Sequence, residues 1–177
     1  MSITGRSIII ERDTSAILVP SGHIIELKAG TPVRVTQAMG GHYTVEVFGN
    51  LVMIGHENQD ALGLEVDTEL FKHIHDDTID LDTKVNLQLK TCYDPEIPVN
   101  IYELGLIYDV MITDGHVRIV MTLTSPTCGM GPFIVEEVKR RLHLIPDVLE
   151  VDVELVFDPP WNRERMSKAA MLQLNLL

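Results

Sequence analysis

Along the first third of the chain, apolar and β-branched residues come in short runs at 7–11, 16–19, 24–27, 33–36, 43–48 and 51–54. Turn residues break the runs: Pro20-Ser21-Gly22, Ala29-Gly30, Gly40-Gly41 and Gly49-Asn50. Thr44-Val45-Glu46-Val47 alternates polar and apolar, the period of a strand with one wet face. Gly40-Gly41 and Gly49-Asn50 are two-residue hairpin signals. The pattern predicts a small antiparallel meander or partly closed barrel.

From residue 65 the pattern changes. Residues 65–83 are rich in Asp, Glu, His and Thr and read as a linker with a short helix near 69–74. Asp82 is expected to cap a helix reaching Tyr93, with Val85, Leu89 and Cys92 on one face. Pro95 and Pro98 must end it. Strands follow over 106–113 and 116–124, joined by Asp114-Gly115, the strongest hairpin signal in the chain. Pro132 suits the first turn of a helix running to about residue 144. Residues 148–157 read as a strand closed by Asp158-Pro159-Pro160, and 163–174 as a last helix or arm. The expected fold class is α+β. A small antiparallel β-rich domain fills 1–64, a linker 65–79, and a compact α/β sandwich of order α-β-β-α-β-α fills 80–177.

Composition narrows the function classes. No apolar run approaches the roughly 18 residues of a membrane span. The start, Met1-Ser2-Ile3-Thr4-Gly5-Arg6, is polar and precedes too short an apolar run for a secretory signal, so a cytoplasmic protein without a membrane partner is expected. With 26 acidic residues against 14 basic, the net charge of −12 repels a phosphate backbone and argues against nucleic acid as a partner. The two cysteines, Cys92 and Cys128, give no disulfide framework and suit a reducing compartment as free thiols; a single disulfide between them is the alternative.

The richest chemistry lies in Met121-Thr122-Leu123-Thr124-Ser125-Pro126-Thr127-Cys128-Gly129-Met130-Gly131-Pro132, read as a strand, a tight loop and a helix start. A thiol just ahead of a helix N-terminus feels unpaired N–H groups and the positive end of the dipole, both of which favour thiolate. Gly129 and Gly131 remove Cβ atoms that would block a large ligand from the sulfur. The competing reading of Cys128 is a small buried hydrophobe. Thr122 and Thr124 alternate on one strand face, where their hydroxyls would reach the loop backbone or a sulfur, although β-propensity alone also accounts for them. Asp94 and Glu96 flank Pro95; they serve either turn chemistry or as carboxylates near a metal or thiol. Cys92 is either structural or a second ligand. His73-Ile74-His75-Asp76-Asp77 invites a zinc reading, but no CxxC or HExxH spacing accompanies it, and a solvated linker is preferred. Trp161 is expected to pack over the domain edge with its indole N–H on a partner, and the polar segment after it to fold over the Cys128 loop as a lid. No dinucleotide-binding, phosphate-binding or nucleophile-elbow motif is present, and neither His116 nor His143 lies in a recognisable signature with Cys128.

Three segments taken in order resemble one family. They are 94–101 with 104–108, then 122–131, then 155–161 with Met166-Ser167. Together they look like the small iron–sulfur maturation domain shared with cytosolic iron–sulfur targeting factors and the phenylacetate-degradation protein PaaD, over roughly residues 80–170. Val19-Pro20-Ser21-Gly22, residues 33–45 and Asp60-Ala61-Leu62-Gly63 are similar to the SufT-type subgroup, in which a β-rich extension precedes that domain. Where many members carry proline after the loop cysteine, this chain has Gly129.

The resemblance implies a compact α/β sandwich and an accessory role in iron–sulfur protein maturation, not an enzyme. Cys128 becomes the reactive or cluster-ligating position, supported by Asp94, Glu96, Thr122, Thr124 and Gly129, with Cys92 as the candidate second ligand. The implied cargo is a transient or labile iron–sulfur cluster. The implied partners are apo iron–sulfur proteins and SUF-type assembly proteins, or a second copy of the chain in a homodimer. Two rivals stand beside the carrier: an adaptor that binds no cluster and docks clients on the machinery, and a cysteine-dependent enzyme, for which no base is evident.

Overall fold

The computed structural model describes residues 3–65 and 68–177, and the chain divides into two compact units, Met1–Leu70 and Phe71–Leu177. The first unit holds β1 (Ser7–Ile9), β2 (Thr14–Val19), β3 (Ile24–Leu27), β4 (Pro32–Met39), β5 (His42–Val47) and β6 (Asn50–Ile54). All pairings are antiparallel and the sheet order is β1-β4-β5-β6-β2-β3. Alternation along the strands sends Ala16, Leu27, Val33, Val35, Val45, Val47, Val52 and Ile54 to one buried cluster. Gly40 and Gly41 both take positive φ between β4 and β5, the geometry a two-residue hairpin needs.

The next hairpin differs from expectation by one residue. Val47 pairs with Asn50, so the turn is Phe48-Gly49, at φ 50° and 77°, and not Gly49-Asn50. Asn50 enters the ladder, and its side-chain amide donates to the Phe48 carbonyl at 3.2 Å.

The second unit contains α1 (Leu81–Leu89), β7 (Ile107–Thr113), β8 (His116–Met121), α2 (Gly131–Leu142), β9 (Glu150–Leu155) and α3 (Lys168–Gln173). A 3₁₀ helix, Glu69–His75, leads into it. Within the three-stranded sheet β7-β8-β9, β7 runs antiparallel and β9 parallel to β8. Asp114 and Gly115, at φ 49° and 81°, close the β7–β8 hairpin. Parallel neighbours need a crossover, and α2 supplies it. Ile134, Val138 and Leu142, at helical spacing, join Val85 and Leu89 of α1 and Val117, Ile119, Met121 and Val151 of the sheet in one core. The opposite sheet face is wet: His116 pairs with Glu150 at 3.0 Å and Arg118 with Glu154. Among the described residues no helix is long and apolar enough to cross a membrane.

Helix α1 is shorter than its sequence pattern suggests. Asp80, not Asp82, is the cap: its backbone is extended and its side chain accepts the Thr83 N–H at 2.8 Å. The helix ends at Leu89 because the next turn tightens, with Thr91 donating its hydroxyl to the Gln88 carbonyl at 2.6 Å. Cys92 therefore lies beyond the helix.

Helices α1 and α2 meet through a buried polar network. Arg141 is fully buried and Glu137 nearly so. The guanidinium donates from Nε to Glu137 and from Nη1 to Thr91 Oγ1 at 3.2 Å, and it lies 5.1 Å from the centre of the Phe71 ring. The Gln88 amide donates to the Arg141 carbonyl at 2.8 Å.

Candidate functional site

The three sequence segments that carry the family resemblance leave the same end of the second sheet. β7 starts there, and the parallel strands β8 and β9 end there. Two backbone bonds fix the convergence: Thr122 N–H to the Leu106 carbonyl at 2.9 Å, and Val156 N–H to the Met121 carbonyl at 2.9 Å. Loops emerging beyond the carboxyl ends of parallel strands are a common place for sites in α/β sheets, because the strands hold them rigidly while leaving their tips open.

Cys128 occupies the loop between β8 and α2, half-buried, with its side chain against the edge of the core. Two successive turns hold it: Cys128 N–H donates to the Ser125 carbonyl at 3.1 Å, and its own carbonyl accepts from Gly131 N–H at 3.2 Å. The Ser125 and Thr127 hydroxyls lie 2.9 Å apart and brace the first turn. Met130 caps α2 without a side-chain hydrogen bond, and no acidic residue sits in its first turn. The positive end of the helix dipole is thus not neutralised by a local carboxylate. Fewer N–H groups are open than the sequence suggests, since Gly131 is paired and Pro132 has none. A Cβ at Gly131 would sit 2.7 Å from Leu123 Cδ1, so the end of that leucine side chain would have to shift.

The threonines do not lie within the strand. β8 ends at Met121, where Leu106 takes the Thr122 N–H and the chain bends at Thr124. Thr122 is fully buried and its Oγ1 has no hydrogen-bond partner, whereas Thr124 and its side chain are half-buried. A buried hydroxyl without a partner is uncommon.

Asp94 is buried at 3% exposure while Glu96 is exposed. Asp94 Oδ1 accepts the Glu96 N–H at 2.9 Å, so the turn role of this carboxylate is realised. Burial pushes the Asp94 carboxyl up from its ordinary value, the Glu96 N–H opposes this, and the Glu96 charge adds to it. A carboxyl raised on folding makes the native state bind a proton more readily than the unfolded chain. The ionised form therefore destabilises the fold above the native pKa, and the penalty fades as pH falls through that pKa toward the unfolded value near ~4. Asp94→Asn keeps the acceptor and removes the charge. Urea unfolding should show the variant more stable than the parent at pH 7, with the difference shrinking at pH 4; a variant that loses stability at pH 7 would contradict this account.

Cys92 is part of the core, 1% exposed, with its thiol directed to the Gln88 carbonyl at 3.8 Å. Desolvation pushes this thiol up to about 12, with Arg141 opposing. It is a neutral packing residue in this structure, and both cysteines are free. The histidine stretch is not a solvated linker throughout: Ile74 is buried and His73 packs against α1, and among the described residues no group of three His, Cys, Asp or Glu side chains could hold a metal.

The arm after β9 docks differently from the lid expected of it. Trp161 Nε1 donates to the Leu104 carbonyl at 2.8 Å, Ser167 N–H to the Glu103 carbonyl at 2.9 Å, and Tyr108 hydroxyl to the Pro159 carbonyl at 2.8 Å. Arg165 covers the Tyr108 ring at 4.2 Å. These bonds strap the arm to 103–108, the far end of the loop carrying Asp94. Gly105 makes the strap close: at φ 73°, its missing Cβ would lie 2.2 Å from the Arg165 carbonyl oxygen. Sequence reading passed over Gly105 as a fixing point; a glycine between Leu104 and Leu106 was its signal.

Comparison with known proteins agrees with this geometry. The family model described as iron-sulfur cluster assembly protein matches residues 82–154, from α1 to the end of β9. An Fe-S protein maturation auxiliary factor of Porphyromonas gingivalis is 49% identical over 90 residues, covering 50% of this chain and 86% of that protein. The Fe-S protein maturation auxiliary factor SufT of Staphylococcus aureus is 42% identical over 84 residues, 47% of this chain and 96% of the relative. The crystal structure of a domain of unknown function, DUF59, from Bacillus anthracis superposes with a TM-score of 0.52 at 39% identity, covering 55% of this chain and 93% of that one. The second unit is thus an iron–sulfur assembly domain by fold and sequence. The chain belongs to the SufT-type family of Fe–S protein maturation auxiliary factors.

Proposed function

We propose that this protein is an accessory factor of iron–sulfur protein maturation, and that it hands a labile cluster to apo-proteins through Cys128. The supporting observation is the position of the one cysteine with solvent access, on a braced loop where the family's three motifs leave one sheet end. The cluster is cargo here. A four-iron cluster normally takes four cysteine thiolates, and with Cys92 in the core this chain offers one. The remaining ligands must come from a second copy, an assembly protein, a client or a small thiol. An incomplete ligand set favours release over storage. The chemistry assigned is ligand exchange at sulfur, with no bond-making catalytic residue, in the cytoplasm, among SUF-type assembly proteins and their clients. Asp94, Glu96, Thr122, Thr124 and Gly129 shape the surroundings.

Anaerobic reconstitution with iron and sulfide, followed by measurement of bound iron, absorbance in the thiolate-to-iron region and oligomer mass, tests this. Iron and colour that depend on Cys128 are expected. Colourless, iron-free protein that still binds clients would replace the carrier by an adaptor.

A further inference from the structure

The three-stranded sheet of the second unit has two edges, β7 and β9, and they are built differently. β7 is broken by a register shift between Ile107 and Asp109, and Tyr108 within the shift holds the arm through its hydroxyl and its ring. Bulges and covering segments are ordinary means of closing a sheet edge to further strands. β9 has neither. It pairs with β8 in unbroken register from Glu150 to Leu155, and the arm leaves it toward β7. Among the described residues no strand lies beyond it.

Two bonds set the polarity of this edge. Glu150 N–H donates to the Gly115 carbonyl at 3.4 Å, and Val156 N–H to the Met121 carbonyl at 2.9 Å. Backbone groups alternate sides along a strand, so the even-numbered residues face β8. Val151, Val153 and Leu155 therefore turn their N–H and C=O groups to the open edge. The side chains carry a matching pattern. On the core face, Val117, Ile119 and Met121 of β8 are buried, whereas Val153 and Leu155 of β9 are only half-buried. Leu149 and Phe157, at the two ends of the strand, are 71% and 41% exposed. On the outer face stand Glu150, Asp152 and Glu154, all exposed. Against these three carboxylates β8 sets one arginine, Arg118, and His116.

We propose that β9 is a docking edge for an extended segment of another protein, which adds as a fourth, antiparallel strand whose apolar side chains alternate with Lys or Arg. Antiparallel pairing is the more stable per residue. Apolar residues opposite Val151, Val153 and Leu155 continue the core layer, and the basic residues between them meet Glu150, Asp152 and Glu154. A second copy of this chain does not fit. β9 against β9 sets the two acidic rows face to face, a common guard against self-pairing. β8 and β9 finish at the sheet end from which the Cys128 loop leaves, so one end of the docked strand lies on that side. The docking itself does not require the cysteine.

The test titrates the full chain with the peptide Lys-Val-Lys-Val-Lys-Val-Lys and follows calorimetry and amide hydrogen exchange. Binding should slow exchange at Val151, Val153 and Leu155, and leave Asp152 and Glu154, already paired with β8, unchanged. Methylating the backbone nitrogens of the valines removes the donors turned to β9 and should weaken binding at least about tenfold. Methylating those of the lysines alters the far side and should change it less than about threefold. A peptide with Glu in place of Lys should bind at least about tenfold more weakly. Asp152→Lys should weaken the lysine peptide roughly two- to fivefold, and Cys128→Ser should bind it as the parent does. No binding at millimolar peptide, equal affinity for the two methylated peptides, or a glutamate peptide that binds as well would each overturn the proposal. Edge amides that become protected with rising protein concentration and no peptide would assign the edge to a second copy and overturn it too.

Discussion

Cys128→Ser is expected to abolish support of iron–sulfur client enzymes in cells with a high demand for clusters, while the purified variant stays folded. The sulfur carries none of the bonds that hold the loop. Those are backbone bonds, from Cys128 N–H to Ser125 and from Gly131 to the Cys128 carbonyl, and serine keeps both. A half-exposed replacement of similar size should shift stability by less than about 1 kcal/mol. The ligand chemistry changes completely, because the thiolate is the iron ligand and a serine hydroxyl stays protonated at neutral pH. Cys92→Ala is the contrasting case. It removes a core thiol raised to about 12, so it should weaken packing and leave client support intact. Complementation assays with both variants, read beside their urea midpoints, decide the matter. Full client activity with Cys128→Ser would end the thiol mechanism.

Glu137→Ala carries the largest expected loss of stability. Arg141 is 0% exposed and Glu137 3%, so removing the carboxylate takes away the buried counter-charge of a guanidinium that stays in the core beside the Thr91 hydroxyl and the Phe71 ring. Breaking a buried pair from one side costs about 3–5 kcal/mol, because the remaining charge is stranded without water. Domains hold only about 5–15 kcal/mol in all, so this variant should be largely unfolded at moderate urea. Arg140 also loses its contact with Glu137, but it is 40% exposed and solvent screens it. The double replacement Glu137→Leu with Arg141→Met should recover most of the loss, since it leaves no charge behind. Denaturation of the single and double variants gives the comparison. A drop below about 1 kcal/mol for Glu137→Ala would show that the pair is far better hydrated than its burial indicates.

Much of the architecture was legible where local chemistry dominates. Asp114-Gly115 and Gly40-Gly41 turn where their φ angles demand it, and valine alternation marked the strands of the first sheet. The cap of α1 was misplaced because 76–82 offers several aspartates, each able to cap; Asp80 wins through the position of Thr83. The Phe48-Gly49 turn was missed because a phenylalanine at positive φ runs against its own preference, and the pairing of Val47 with Asn50 overrides it.

By itself the sequence determined that one thiol sits in a loop before a helix, and that three ordered motifs accompany it. Those are local facts, carried by turn residues, a proline at a helix start and residue order. Only the tertiary structure decided that the motifs leave one end of one sheet, that Cys92 is sealed in the core, and that the arm straps 103–108. Each of these depends on contacts between residues far apart in the chain, such as Thr122 with Leu106 and Trp161 with Leu104. Burial and register are properties of those pairings, and no single segment encodes them.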